Sequence, residues 1–410
     1  MRRRPHAALV ALAILASSSA PRVTAAGPPA RKPLNAVDRA GLLSLLKAVD
    51  LAQETDVLSG GSLPWESHVL KSANDTAYVP FLLELNDLPD TFKSAAMYVR
   101  AVSRHDSVRS ADEHSSMRER LVRGDPPPPR TETVWVGAGE MPVGGPASSS
   151  ARRSNQAPAE SSIVLTLQQR EFEKQKAAQE DARKKAEAKR HDPFLFPFEE
   201  YYFFDVKSAR ASEPRIVERA LALPPGEYDI YVGLLDRARA KTSSPVVTKH
   251  TVTVPDFWND RLTVSGLMLV SGVEVRRSPL KTDEQEEHPY TLGLTEMTPR
   301  ITRAFTPDDP FSVVFQICNY GAPDSDLAVE YNFYSVANGA RTLFNHTPPQ
   351  RYNDEDLPPA GGWESQTLAF QSVSLKTFPP GSYELEVLVR DRLTRGSATA
   401  TTTFTVGPTR

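Results

Sequence analysis

Apolar and polar residues alternate with a period of two in a series of segments along the chain. Val79, Phe81, Leu83 and Leu85 recur at every second position between Tyr78 and Leu85. Met97, Val99 and Ala101 do the same between Ala95 and Val102. A strand sends successive side chains to opposite faces, so both segments read as half-buried antiparallel strands. Further on, Phe311, Val313, Phe315 and Ile317 share one face, and so do Leu327, Val329, Tyr331 and Phe333. Asn338-Gly339 then signals a two-residue hairpin into Thr342 to Asn345, because both residues tolerate the positive φ of that turn. Leu262 to Leu269, Gly272 to Val275 and the run holding Leu368, Phe370 and Val373 supply the other strands a sandwich needs.

Two segments follow a different rule. Val37, Leu42, Leu45, Leu46 and Val49 recur at helical spacing, predicting a helix over Ala36 to Gln53 that docks on the first sandwich. Asn35 is its expected N-cap, and Asp38 in the first turn suits the helix dipole. Gln168 to Arg190 is dense in Glu, Lys, Gln, Arg and Ala but has no apolar stripe, the pattern of a solvated charged helix. A coiled-coil partner site is the competing reading, and it lacks apolar a and d positions.

One motif occurs twice. Leu223-Pro-Pro-Gly-Glu-Tyr228 opens a segment that aligns without a gap to the one opened by Phe378-Pro-Pro-Gly-Ser-Tyr383. The offset is constant through Asp236-Arg237 and Asp391-Arg392: 383 − 228 = 155 and 391 − 236 = 155. Each copy is followed by a Thr/Val-rich strand, Val246 to Val254 and Thr399 to Val406. Gly226 and Gly381 are expected to permit a sharp turn through a positive φ. Tyr228 and Tyr383 then have the place of the tyrosine corner of immunoglobulin-like sandwiches, whose hydroxyl bonds back to the backbone. Asp236 and Asp391 are expected to cap the turn at the far end of each strand.

These features predict a mainly β protein of two tandem immunoglobulin-like β-sandwiches, the first interrupted by a disordered and helical insertion. The expected division is a signal peptide at 1–26, a linker and short helix at 27–54, sandwich domain 1 at 55–257 and sandwich domain 2 at 258–410. The insertion covers 107–192. Residues 107–162, which include the four prolines Pro126 to Pro129, are too polar and Pro-rich to offset their ordering entropy, and the charged helix spans 163–190. Thr133 to Val136 is a candidate short strand within that stretch.

The paired Pro-Pro-Gly-x-Tyr strands, the LTVSGLMLVSG run and the ITRAFTPDDPFSVVFQICNYG segment resemble exported acidobacterial-type proteins. In that group, tandem immunoglobulin-like or fibronectin-like modules follow von Willebrand factor A-related or GWxTD-type regions. The resemblance covers about residues 195–406 and implies a sandwich fold. The chain departs from it in having neither a GWxTD string nor a metal-site Asp-x-Ser-x-Ser, so it implies no adhesive activity here.

Composition bears mainly on compartment and partners. Arg2 to Arg4, the apolar run Ala7 to Ala16 and the small residues at 23–26 form the pattern of a cleaved leader, with cutting expected after Ala25 or Ala26. The apolar run is about half the ~20 residues a spanning helix needs, so no transmembrane segment is expected after removal. That places the protein outside the cytoplasm, periplasmic or extracellular. A net charge of −3 offers no general attraction to nucleic acid. The single cysteine, Cys318, excludes an intramolecular disulfide and reads as a buried small hydrophobe.

Candidate chemistry is sparse. His68, His105, His114, His191, His250, His288 and His346 are scattered, and none forms the i, i+4 pair of a zinc helix. Ser44-Leu-Leu-Lys47 and Ser278-Pro-Leu-Lys281 match a Ser-x-x-Lys spacing without the accompanying motifs of acyl-serine enzymes. No enzyme activity and no cofactor are therefore expected. Acidic loops at Asp308-Asp309, Thr282 to Glu287 and Asn353 to Asp356 are either solvated or, for the first and last, calcium ligands. The aromatic cluster Phe194, Phe196, Phe198, Tyr201, Tyr202, Phe203 and Phe204 has two readings. It either fills a core or presents Phe198, Tyr201 and Tyr202 to a sugar, with Trp363 in a Gly-rich loop as a further contact. The leading expectation is an exported interaction or structural protein of the cell envelope, bound to an unknown envelope protein through loops or strand edges. The alternative is a glycan-binding module.

Overall fold

Eight strands build domain 1: β1 (Trp65–Ser67), β2 (Leu70–Lys71), β3 (Ala77–Glu84), β4 (Ser94–Ser103), β5 (Phe198–Asp205), β6 (Ile216–Leu223), β7 (Gly226–Asp236) and β8 (Val246–Val254). They come from a computed structural model that describes residues 31–59, 63–72, 75–104, 115–131, 133, 135, 195–206, 214–321, 326–353, 357 and 365–408. The expected signal peptide, the charged helix 163–190 and most of the stretch 107–162 lie outside the described residues. β3 is the hub of one sheet, flanked by β1 and β2 on one side and β6 on the other; the second sheet runs β5-β4-β7-β8. Between them lie Val79, Phe81, Leu83, Met97, Val99, Ala101, Ile230, Val232 and Leu234, the residues the alternation assigns to the inner faces.

Domain 2 repeats this plan. Its strands are β9 (Thr263–Val264), β10 (Met268–Val275), β11 (Thr291–Leu292), β12 (Thr295–Pro299), β13 (Ala304–Phe305), β14 (Phe311–Cys318), β15 (Leu327–Ala337), β16 (Ala340–His346), β17 (Gln350–Tyr352), β18 (Gln366–Val373), β19 (Gly381–Asp391) and β20 (Ser397–Val406). One sheet runs β11-β12-β10-β14-β18 and the other β13-β20-β19-β15-β16. The order β16-β15-β19-β20 matches β5-β4-β7-β8, and β14-β18 matches β3-β6. The chain is thus mainly β, two tandem immunoglobulin-like sandwiches. Equivalent connections differ greatly in length. β15 passes to β16 through Asn338-Gly339, with φ of 50° and 76°. β4 passes to β5 through the whole insertion.

The helix expected over Ala36 to Gln53 runs from Ala36 to Thr55 (α1), and the Asn35 side chain accepts from Asp38 N at 2.9 Å. Leu42, Leu45, Leu46 and Val49 are fully buried against the outward face of β4 and β7, beside Tyr98, Tyr231 and Leu235. Burying four such side chains contributes a gross stabilisation of roughly 6–12 kcal/mol, an upper figure because the unfolded chain is already partly collapsed. Asp38 does more than face the dipole. It is buried and holds Arg237 through two bonds, Nε to Oδ1 at 2.7 Å and Nη2 to Oδ2 at 2.8 Å.

Three expectations change. β3 and β4 are not half-buried, because both faces of each are covered. The outer residues of β3, Tyr78 and Leu82, pack on domain 2, and those of β4 pack under α1. Nor is the stretch 107–162 structureless throughout. Ser116–Arg123 forms a helix (α2), capped by the Ser115 hydroxyl on Arg118 N at 2.9 Å and closed by Gly124 at φ 83°. Met117 and Leu121 suffice to seat it beside α1, and Arg118 pairs with Asp50 of α1. The candidate strand at 133–136 is not formed at the described positions Thr133 and Trp135.

Candidate interaction surface

The repeated corner is a backbone device in both domains. Tyr228 Oη donates to Pro224 O at 2.9 Å, and Tyr383 Oη to Pro379 O at 2.7 Å. The two glycines are not equivalent. Gly226 has φ +152°, and a Cβ there would lie 3.0 Å from Tyr228 Oη and 3.2 Å from its Cζ. Gly381 lies outside the left-handed region, and its nearest neighbours would be 3.9 Å away. The positive φ expected at both is therefore present only at Gly226. At the far ends, Asp236 accepts from Ala238 N at 3.1 Å, and Asp391 from Leu393 N at 2.9 Å and Gly321 N at 3.1 Å.

The aromatic platform is corrected. Phe198, Tyr201 and Tyr202 are only 1%, 6% and 2% exposed. Phe198 and Tyr202 fill the core between the sheets of domain 1. Tyr201 faces the other way, covered by the Arg31 guanidinium 4.6 Å from its ring centre. None has a face on which a sugar can stack. Trp363 and Phe194 lie outside the described residues. Cys318 is fully buried and packs into the core of domain 1 although it belongs to β14; burial pushes its thiol up to about 12. Asp309 accepts from Thr306 N at 2.7 Å, closing its own turn. Asp354 to Asp356 lie outside the described residues. Among the described residues, no group of three or more His, Cys, Asp or Glu is placed to hold a metal ion, and no helix is long and apolar enough to cross a membrane.

The joint between the sandwiches is apolar with a polar seam. Leu70, Tyr78, Leu82 and Ala220 of domain 1 meet Met268, Val270, Tyr290, Leu292, Met297, Val314 and Leu368 of domain 2. Tyr78 Oη donates to Pro289 O at 2.8 Å. Buried Lys71 donates its N–H to Gln316 Oε1 at 2.6 Å and its Nζ to Asn319 Oδ1 at 2.5 Å. Asn319 Nδ2 in turn donates to Phe257 O at 2.8 Å, beside Trp258. His68 Nδ1 lies 3.2 Å from Tyr290 Oη, and Glu66 binds Arg303 at 2.6 Å. Burial, with Arg303 adding to it, pulls the His68 imidazole down to about 3; burial pushes the Glu218 carboxyl up to about 7.

With these contacts made, the two aligned copies have different outer faces. The outward row of β7 is Asp229, Tyr231, Gly233 and Leu235, and the equivalent row of β19 is Glu384, Glu386, Leu388 and Arg390. α1 covers the first: a Cβ on Gly233 would stand 3.2 Å from both Leu45 Cδ2 and Val49 Cγ2, so glycine allows the helix its close approach. No element among the described residues covers the second, and from Tyr383 on β19 alternates strictly between buried and more exposed positions. Its charges are paired across strands. Arg341 binds Glu384 at 3.0 Å and Glu386 at 2.5 Å with its guanidinium 3.7 Å over Tyr334, and Arg390 pairs with Glu330. This face ends at β16, an edge strand exposed at every residue. Leu343 there is 53% exposed, and Phe344 sits at a register shift, leaning on Phe378 and Tyr383.

No family model matches the chain, and no curated protein matches it. Among solved structures, a transglutaminase from red sea bream aligns at 7% identity and a TM-score of 0.17, over 88% of this chain. The chain spans a third of that protein's length, 33%.

Proposed function

We propose that the chain is an exported, non-enzymatic interaction or structural protein of the cell envelope, which meets its partner through the uncovered sheet and edge of domain 2. The observation that carries this reading is the contrast between the aligned copies. In domain 1 both outer faces are occupied, one by α1 and α2 and the other by domain 2. In domain 2 the β16-β15-β19-β20 face has no covering element among the described residues, and the edge strand exposes an aliphatic and an aromatic side chain. Sandwich edges and faces of this kind bind partners by main-chain pairing and side-chain packing. The leader-like pattern at residues 1–26 supports the exported address. The buried Cys318 thiol is protonated at neutral pH and walled off, so it supplies no nucleophile.

The test is capture from envelope extract with two tagged variants. Tyr334→Lys combined with Leu343→Lys alters the uncovered face, whereas Leu51→Lys alters the exposed side of α1. A partner retained by the wild type and by Leu51→Lys, but lost from the double variant, is the expected result. Equal retention by all three removes the reading.

A further inference from the structure

The first described part of the insertion in domain 1 is a helix on one face of that domain, and a later described part reaches the joint between the two sandwiches. α2 packs with α1, far from domain 2 in sequence and on the outer side of β4. The chain then leaves through Gly124 and the prolines at 126–129, of which Pro127 is buried. Arg130 pairs with Glu286 of domain 2 while its guanidinium lies 5.7 Å from the ring centre of Tyr202 in domain 1. Trp135 ends the run, 6% exposed, inside the joint cluster with Tyr290, Leu292 and Met297. Its ring lies against Gly293, where a Cβ would be 3.9 Å from Trp135 Cζ3.

The polar end of the indole is placed as specifically as its apolar body. Trp135 Nε1 donates to Lys71 O at 3.1 Å, and Gln316 Nε2 donates to the same carbonyl at 3.1 Å. One backbone oxygen of β2 thus takes a donor from the insertion and a donor from β14 of domain 2. Gln316 also reaches Gln366 Oε1 at 2.5 Å, so the network continues into β18. The carbonyl is buried, and loss of either donor leaves a polar group less well satisfied in an apolar joint.

We propose that the described residues 115–131, with Trp135 as their anchor, act as a strap that fixes the angle between the two sandwiches. Two helices clamp one end of the strap to domain 1, and the indole pins the other end across the joint. Prolines in between keep the connection short and stiff, since they restrict φ and cannot coil into a helix. The joint without the strap keeps its direct contacts, such as Tyr78 to Pro289, so its loss should loosen the angle and leave each sandwich folded. This goes beyond the proposed binding role, because the strap sets the direction in which domain 2 presents its free face and does not touch that face.

Spin labels at Thr251→Cys and Thr403→Cys, exposed sites in domains 1 and 2, report the angle as a distance distribution. Cys318 is fully buried and does not compete for label. In the otherwise wild-type chain the expected distribution is a single narrow peak, and Trp135→Ala broadens it while circular dichroism keeps its β signature. An unchanged narrow peak in Trp135→Ala overturns the proposal. Should Trp135→Ala fail to fold, Trp135→Leu decides in its place: a broadened peak supports the strap and an unchanged one removes it. Binding by the double variant of the domain 2 face is measured separately, so loss of the strap and loss of the interaction surface are distinguishable.

Discussion

Replacing each corner glycine by alanine separates the two copies of the motif. At Gly226, φ is +152°, a region open almost only to glycine, and an alanine held there costs about 1–3 kcal/mol. Its Cβ would also stand 3.0–3.4 Å from the Tyr228 ring and hydroxyl. The ring must shift, which weakens the Tyr228–Pro224 bond and removes about a further 0.5–1.5 kcal/mol. The expected loss is therefore about 1.5–4.5 kcal/mol. Gly381 lies outside the left-handed region, and a Cβ there meets only ordinary van der Waals contacts at 3.9 Å, so alanine there lies between neutral and about 1 kcal/mol more stable, because it restricts the unfolded chain. Tyr228→Phe and Tyr383→Phe, by contrast, should cost similar amounts, about 0.5–1.5 kcal/mol each, since both hydroxyls make the same bond. Guanidinium unfolding followed by tryptophan fluorescence measures all four. Equal losses at the two glycines, or a neutral Gly226→Ala, would refute the conformational argument.

Gly233→Leu, which installs the residue of the second copy, should dislodge α1 from β7, and hydrogen exchange should show Leu42 to Val49 losing protection with β7 and β19 retained. Glu218 titrates higher in the folded protein, so its contribution weakens stability as pH rises from about 4.5 through about 7; Glu218→Gln should remove that decline, about 1–3 kcal/mol after allowance for partial exposure. His68 acts with the opposite sign: it stays neutral in the fold, so stability falls as pH drops from about 6.5 towards about 3, and acid unfolding curves should show that decline. Cys318 should resist a disulfide-exchange reagent at neutral pH and react only at the rate of unfolding; rapid native modification would contradict its burial.

Much of the fold is legible in the sequence because its strands obey the two-residue period. The alternation picks out the inner faces of β3, β4, β14 and β15, and the offset of 155 aligns β7 with β19. What covers the outer faces is written less plainly. Tyr78 and Leu82 on β3, and Tyr98 and Tyr231 on β4 and β7, are apolar at positions that a half-buried strand gives to water. They mark the joint and the seat of α1, and the Glu384, Glu386 and Arg390 row marks a face left open. The aromatic cluster stays open between its two readings in sequence because rings suit both a core and a binding platform. Their neighbours Arg31, Arg219 and Arg237 cap them from distant parts of the chain, a contact that no local pattern carries. Trp135 is illegible for a related reason. It sits in a four-residue candidate strand inside a polar, Pro-rich stretch, and the carbonyl it bonds, Lys71 O, is 64 positions away (135 − 71), shared with the Gln316 amide donor of domain 2. The open edge at β16 follows from sheet order, which sequence spacing does not specify.

Photo-crosslinking in intact cells addresses the interaction surface most directly. A photoactivatable residue at position 343 places the probe on the open edge, and one at position 51 places it on the equally exposed side of α1. A discrete adduct from position 343 and none from position 51 is the predicted result. Adducts from position 51 alone, or none from position 343, would contradict the claim that domain 2 offers the binding face.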